Sequence, residues 1–129
     1  MLKDRAYYDA LTEQVIGCAY AVGRELGCGF LEKVYENALR IELEREGLRA
    51  EQQHPVQVCY RGQVVGDFVA DLLVDGDLIV ELKAVKQLED VHLAQCLNYL
   101  KATGRPVGLL INFGQSKVQI RRVVNRFPD

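Results

Sequence analysis

A chain of 129 residues, 49% hydrophobic and 26% charged, is about one domain's worth of sequence and can close one core without disulfide or metal staples. Its net charge of −2 excludes a uniformly basic nucleic-acid coat, and its apolar content excludes a disordered polyelectrolyte. No apolar run nears the roughly 18 residues of a membrane span, and MLKDRAYYDALTEQ has no leader-like apolar stretch, so the expectation is a single domain over residues 1–129, soluble, cytoplasmic and without a membrane partner.

Apolar positions Val15, Ile16, Ala19, Val22 and Leu26 recur at three- and four-residue steps and predict a first helix from Asp9 to Leu26, stopped by Gly27. From Phe30 a second helical period, with Leu31, Val34, Ala38 and Ile41 on one stripe, runs to Gly47. The period then becomes two. Val56, Val58 and Tyr60 alternate before Arg61-Gly62, and strands follow at Phe68 to Val74 and Leu78 to Val85. Helical spacing returns from Leu88 to Ala102, with Gly104 and Pro106 ending it. Val107 to Asn112 reads as a buried strand and Lys117 to Val124 as a last one. The order is ααβββαββ, an α/β (α+β) chain with a mixed central sheet flanked by helices. Its strand–helix–strand crossover from Leu78 to Asn112 implies one parallel pair at the centre.

Charge is segregated along the chain. Residues 1–90 hold 10 Lys or Arg against 17 Asp or Glu, whereas residues 91–128 hold six basic residues, Arg121 and Arg122 among them, and no acid. An acidic part could hold a cation while a basic part steers a polyanion, although both could equally be solvated faces. The four cysteines, Cys18, Cys28, Cys59 and Cys96, form no CxxC pair and read as reduced, mostly buried thiols.

Alternation places Asp71 on one face of its strand, between Val69 and Leu73, and Glu81 and Lys83 together on one face of the next. Charges in hydrophobic strands are costly unless paired or bound to metal. If Val74 pairs with Leu78 across a three-residue loop, Asp71 falls opposite Glu81; a two-residue Asp-Gly turn would instead scramble the faces, so the longer loop is expected. Two converging carboxylates call for a divalent cation, and oxygen ligands suit Mg2+ or Mn2+ better than zinc. Lys83 could orient water and stabilise developing phosphorane charge, or could simply pair with either acid. On the second helix Glu32, Tyr35, Glu36 and Leu39 share a face; on the later one Leu88, His92, Gln95 and Tyr99 form a polar stripe, with His92 read as a surface residue.

Gly29-Phe30-Leu31-Glu32-Lys33-Val34-Tyr35 is a GxxExxY motif. With RELGCGFLEKVYENAL, FVADLLV, LIVELKAV, AQCLNYLKATG and VGLLINFG in order, the chain resembles the GxxExxY proteins, a compact branch of the PD-(D/E)XK nuclease superfamily, over nearly its full length. The resemblance implies a restriction-endonuclease-like core, with Asp71, Glu81 and Lys83 at the superfamily's D and ExK positions. It also implies Glu32 as the helix-borne acid with Glu36 as its rival, and Gln95 and Tyr99 as the QxxxY element of RecB-like nucleases. Members often carry a histidine and a proline where this chain has Gly23 and Cys28.

The expected function is a magnesium-dependent nuclease acting on nucleic acid, with DNA the expected polymer. Asp71, Glu81 and Glu32 would hold the metal and Lys83 would position water. Tyr35, Glu36, Gln95, Tyr99, Arg121 and Arg122 would bind substrate or support the site. The competing reading is a non-catalytic binding or regulatory module that keeps the fold, and the lack of a recognition domain would also fit a homodimer or a protein partner.

Overall fold

The computed structural model describes residues 3–127. Its elements are α1 (Arg5–Leu26), α2 (Glu32–Arg45), β1 (Ala50–Tyr60), β2 (Gln63–Val74), β3 (Leu78–Lys83), α3 (Asp90–Thr103), β4 (Val107–Asn112) and β5 (Gln119–Val124). The expected ααβββαββ order holds. The first helix starts four residues earlier than its apolar period, because the Asp4 carboxylate caps it by accepting from the Tyr7 N–H at 2.9 Å.

The strands form one sheet in the order β1-β2-β3-β4-β5, antiparallel except for the central β3–β4 pair. α3 is the crossover that makes this parallel pair. Side-chain alternation then separates two cores. Leu72, Val74, Leu78, Val80, Leu82, Leu109 and Ile111 meet α1 and α2, whereas Leu73, Ile79, Leu110 and Val123 meet Cys96, Tyr99 and Leu100 of α3. Among the described residues no helix is long and apolar enough to cross a membrane.

Two expectations are corrected here. Of the α2 stripe, Leu31, Val34 and Ile41 face outward, Leu31 82% and Ile41 51% exposed, and Ala38 alone packs against the core, while Tyr35, Glu36, Leu39 and Leu43 are buried. Tyr35 can go inward because its hydroxyl donates to the Gly27 carbonyl at 2.6 Å and accepts from the Phe30 N–H, and its ring stacks on Phe113. The thiols divide evenly, Cys18 and Cys96 buried but Cys28 and Cys59 exposed, so they are not mostly buried.

Candidate active site

The β2–β3 hairpin has the register on which the site depends. Val74 pairs with Leu78, Leu73 with Ile79 and Leu72 with Val80, leaving Asp75-Gly76-Asp77 as a three-residue loop. The left-handed turn is carried by Asp75 and Gly76, with φ of 51° and 73°, and Asp75 Oδ1 is held by the Arg49 N–H at 2.8 Å. Continued by one step, this register sets Asp71 opposite Glu81 on the α3 side.

The regular ladder stops at Leu72 and Val80, and side chains then take over from the backbone. The Leu82 N–H donates to Asp71 Oδ2 at 2.8 Å, and the Asp71 N–H points at Glu81 Oε1 at 3.4 Å. Each strand thus fixes the other's carboxylate. Glu81 is 5% exposed, and burial, followed by the neighbouring Asp71 carboxylate, pushes its acid up from 4.5 to about 9. Lys83 pulls in the opposite direction from two residues along the strand. No ion pair joins Lys83 to either carboxylate among the described residues, so the ion-pair alternative is not formed.

Asn112 was not singled out by sequence reasoning, yet it holds the Lys83 end of β3. It is fully buried, pairs with Lys83 in the parallel ladder, and clamps Val85 through its N–H and carbonyl, both at 2.9 Å. Its Oδ1 also accepts from the Gly114 N–H. Glycine is needed at 114 because a Cβ there would lie 2.1 Å from the Val85 carbonyl oxygen. The available signal was a polar residue closing an otherwise apolar strand.

α3 lies over this face. The Gln95 amide donates to the Tyr99 hydroxyl at 3.4 Å, and Tyr99 is buried close enough to Glu81 and Asp71 that burial and then the two acids raise its phenol's proton affinity. His92 is a cap, its Nδ1 accepting from the Glu89 N–H at 3.0 Å. Cys96, beneath Glu81, is pushed up to about 12 by burial and by that carboxylate, and is therefore a neutral thiol in the floor.

The helix acids are placed differently from one another. Glu32, first residue of α2, is exposed, and its side chain makes no hydrogen bond among the described residues. Glu36 is 3% exposed and accepts from Gln52 at 2.6 Å, Gln53 at 2.9 Å and Lys33 at 3.0 Å. Gln53 adopts a left-handed φ of 54° in β1, between the residues paired with Leu72 and Ala70, and so stands beside Asp71 while its amide reaches Glu36. Among the described residues no three His, Cys, Asp or Glu groups converge on one ion position, so Glu32 is not brought to Asp71 and Glu81. Tyr35 is a core residue, its hydroxyl spent on the turn before α2.

Arg121 and Arg122 are split between the faces of β5. Arg121, paired with Leu110, is exposed, whereas Arg122 is bound to Asp9 at 2.6 Å and lies over the Phe127 ring. They do not form one basic patch. At position 23, a Cβ would come within 2.4 Å of Val118 Cγ2, so Val118 occupies the space that a histidine there would need.

Two strand carboxylates and a lysine on one face of a mixed sheet, under a helix carrying Gln and Tyr, define the class of fold to which the comparison with known families points. The chain matches the PD-(D/E)XK nuclease superfamily over residues 9–123 and belongs to it. That match does not resolve the GxxExxY branch. Among solved structures, the fold is similar to that of SSO0001, with a TM-score of 0.57, 18% identity, and 95% of this chain and 61% of that one covered. It is also similar to an alkaline exonuclease, LHK-Exo, from Laribacter hongkongensis, with a TM-score of 0.53, 12% identity, and 96% of this chain and 72% of that one covered. The comparison with curated proteins gave no match.

Proposed function

We propose that the protein is a nuclease that hydrolyses a phosphodiester, of DNA in the first instance, with Asp71 and Glu81 as ligands for Mg2+ or Mn2+. The observation that carries this reading is the convergence of the two carboxylates beside a lysine that neither of them binds. The donor set fits such an ion: hard oxygens only, and a buried acid that takes up a proton near pH 9 when no cation neutralises it. With two protein carboxylates, water and substrate phosphate would complete the shell. The ion, when bound, would neutralise the phosphoryl oxygens and lower the pKa of water.

The remaining work belongs to side chains. The Leu82 N–H keeps Asp71 Oδ2 oriented, while Asn112 holds the end of β3 so that the Lys83 ammonium can donate to the attacking water and to the phosphoryl oxygens as they gain charge. Gln95 and Tyr99 brace the α3 side of the site. Of the two helix acids, the buried Glu36 supports the site indirectly, through Gln53 beside Asp71, and Glu32 does not take part. The exonuclease named among the structural neighbours agrees in class with this reading.

The test is cleavage of end-labelled single- and double-stranded DNA and RNA with Mg2+, Mn2+ or a chelator. Metal-stimulated cleavage that the chelator abolishes is expected, with DNA preferred. Tight binding without cleavage of any substrate would replace the nuclease with a binding module.

A further inference from the structure

Beside the carboxylates, the β1–β2 hairpin and α3 form a cleft of about 740 Å³ of which the catalytic reading uses Gln95 and Tyr99 alone. Its walls are apolar where they are most exposed: Phe68 is 48% and Val91 68% solvent-accessible, and Val58 and Ala94 continue the surface. The ring of Phe68 is set at 42° to that of Tyr99 with centroids 6.0 Å apart, so it borders Tyr99 without stacking flat on it. Gly66 makes room for this ring, since a Cβ there would approach it to 2.9 Å. The polar groups are chiefly amides, Gln57, Gln95 and Asn98, with the Cys59 thiol; among the described residues Lys101 is the one charge and no carboxylate lines the cleft. Tyr99 and Gln95 belong to both the cleft and the candidate active site.

We infer that this cleft binds an unpaired segment of nucleic acid, one base lying against Phe68 and a neighbouring phosphate reaching the Asp71–Glu81 site. The inference rests on the nuclease reading and specifies its substrate as a single strand or frayed end. An aromatic face offers sequence-tolerant stacking to any base, and neutral amides match base edges. Lys101 puts a cation on the cleft wall, and the absence of acids from its described lining suits a polyanion. A volume of this size falls in the range that encloses a small ligand, about one or two nucleotides, and is too small for a duplex.

The experiment uses the Lys83→Ala protein with Mg2+, so that binding is read without cleavage, and measures fluorescence anisotropy with a labelled single strand and a blunt duplex of the same sequence. The single strand is expected to bind at least tenfold more tightly. Phe68→Ala should weaken it by about tenfold and leave the duplex unchanged, and Phe68→Trp should restore it. Val91→Glu, an exposed change that spares the fold, should weaken it as well by placing an acid at the mouth. Equal affinity for strand and duplex, or indifference to both Phe68→Ala and Val91→Glu, would overturn the assignment while leaving metal-dependent cleavage intact. Phe68-dependent binding in a wild-type protein that cleaves nothing would uphold the cleft and reject the nuclease.

Discussion

Glu81→Gln is expected to stabilise the metal-free protein while disabling it. Burial and Asp71 move the Glu81 acid from 4.5 to about 9, so between these limits the folded chain keeps a proton that the unfolded chain has lost. Stability is therefore full below about pH 4.5 and falls as pH rises through this window, by about 1.4 kcal/mol per unit. At about pH 7.5, three units above the unfolded value, the cost is about 4 kcal/mol, and by about pH 9 it reaches about 6 kcal/mol. This is a large share of the roughly 5–15 kcal/mol that holds a domain folded. A glutamine amide can donate to Asp71 as the protonated acid does, and it does not titrate. Urea unfolding in chelator, at steps from about pH 5 to pH 9, should show a declining midpoint for wild type and a nearly flat one for Glu81→Gln, the two meeting near pH 5. Saturating Mn2+ should recover stability at high pH in wild type only. Parallel pH profiles would refute the buried-acid argument.

Three further substitutions test other parts of the account. Asn112→Ala should cost about 1–3 kcal/mol, because it strands the part-buried Val85 N–H and carbonyl, and should lower cleavage more than metal affinity by freeing the Lys83 end of β3; thermal melts and turnover measure the two. Gly23→His, the residue that the GxxExxY resemblance implies at this position, should destabilise by about 1–3 kcal/mol against Val118 and raise no activity. Arg121→Glu should weaken nucleic-acid binding and lessen its salt dependence, whereas Arg122→Glu should chiefly lose the Asp9 pair and reduce the melting temperature; anisotropy across salt concentrations together with melts separates them.

The geometry of the candidate site was legible because Asp71, Glu81 and Lys83 interrupt hydrophobic strands, and only one hairpin register keeps both the apolar and the ionisable faces aligned. The three-residue loop follows from that alignment even though Asp-Gly alone favours a shorter turn. The orientation of α2 was not legible in the same way. Counting apolar residues favours Leu31, Val34 and Ile41, but Tyr35 and Glu36 go inward because partners remote in sequence, Phe113, Gln52 and Gln53, satisfy them. The polar first half of β1, from Ala50 to Pro55, carries no hydrophobic alternation, since it is an edge strand whose amides serve Glu36. Arg122 looked like part of a basic segment because its acid, Asp9, lies on a different element.

Wild type and Lys83→Ala, purified identically and compared for cleavage of a single-stranded DNA in Mn2+ with parallel calorimetry of Mn2+ binding, test the central claim most directly. The account predicts at least a hundredfold loss of cleavage in the variant, about 3 kcal/mol in the barrier, with Mn2+ still bound by Asp71 and Glu81. Undiminished cleavage by Lys83→Ala would contradict it.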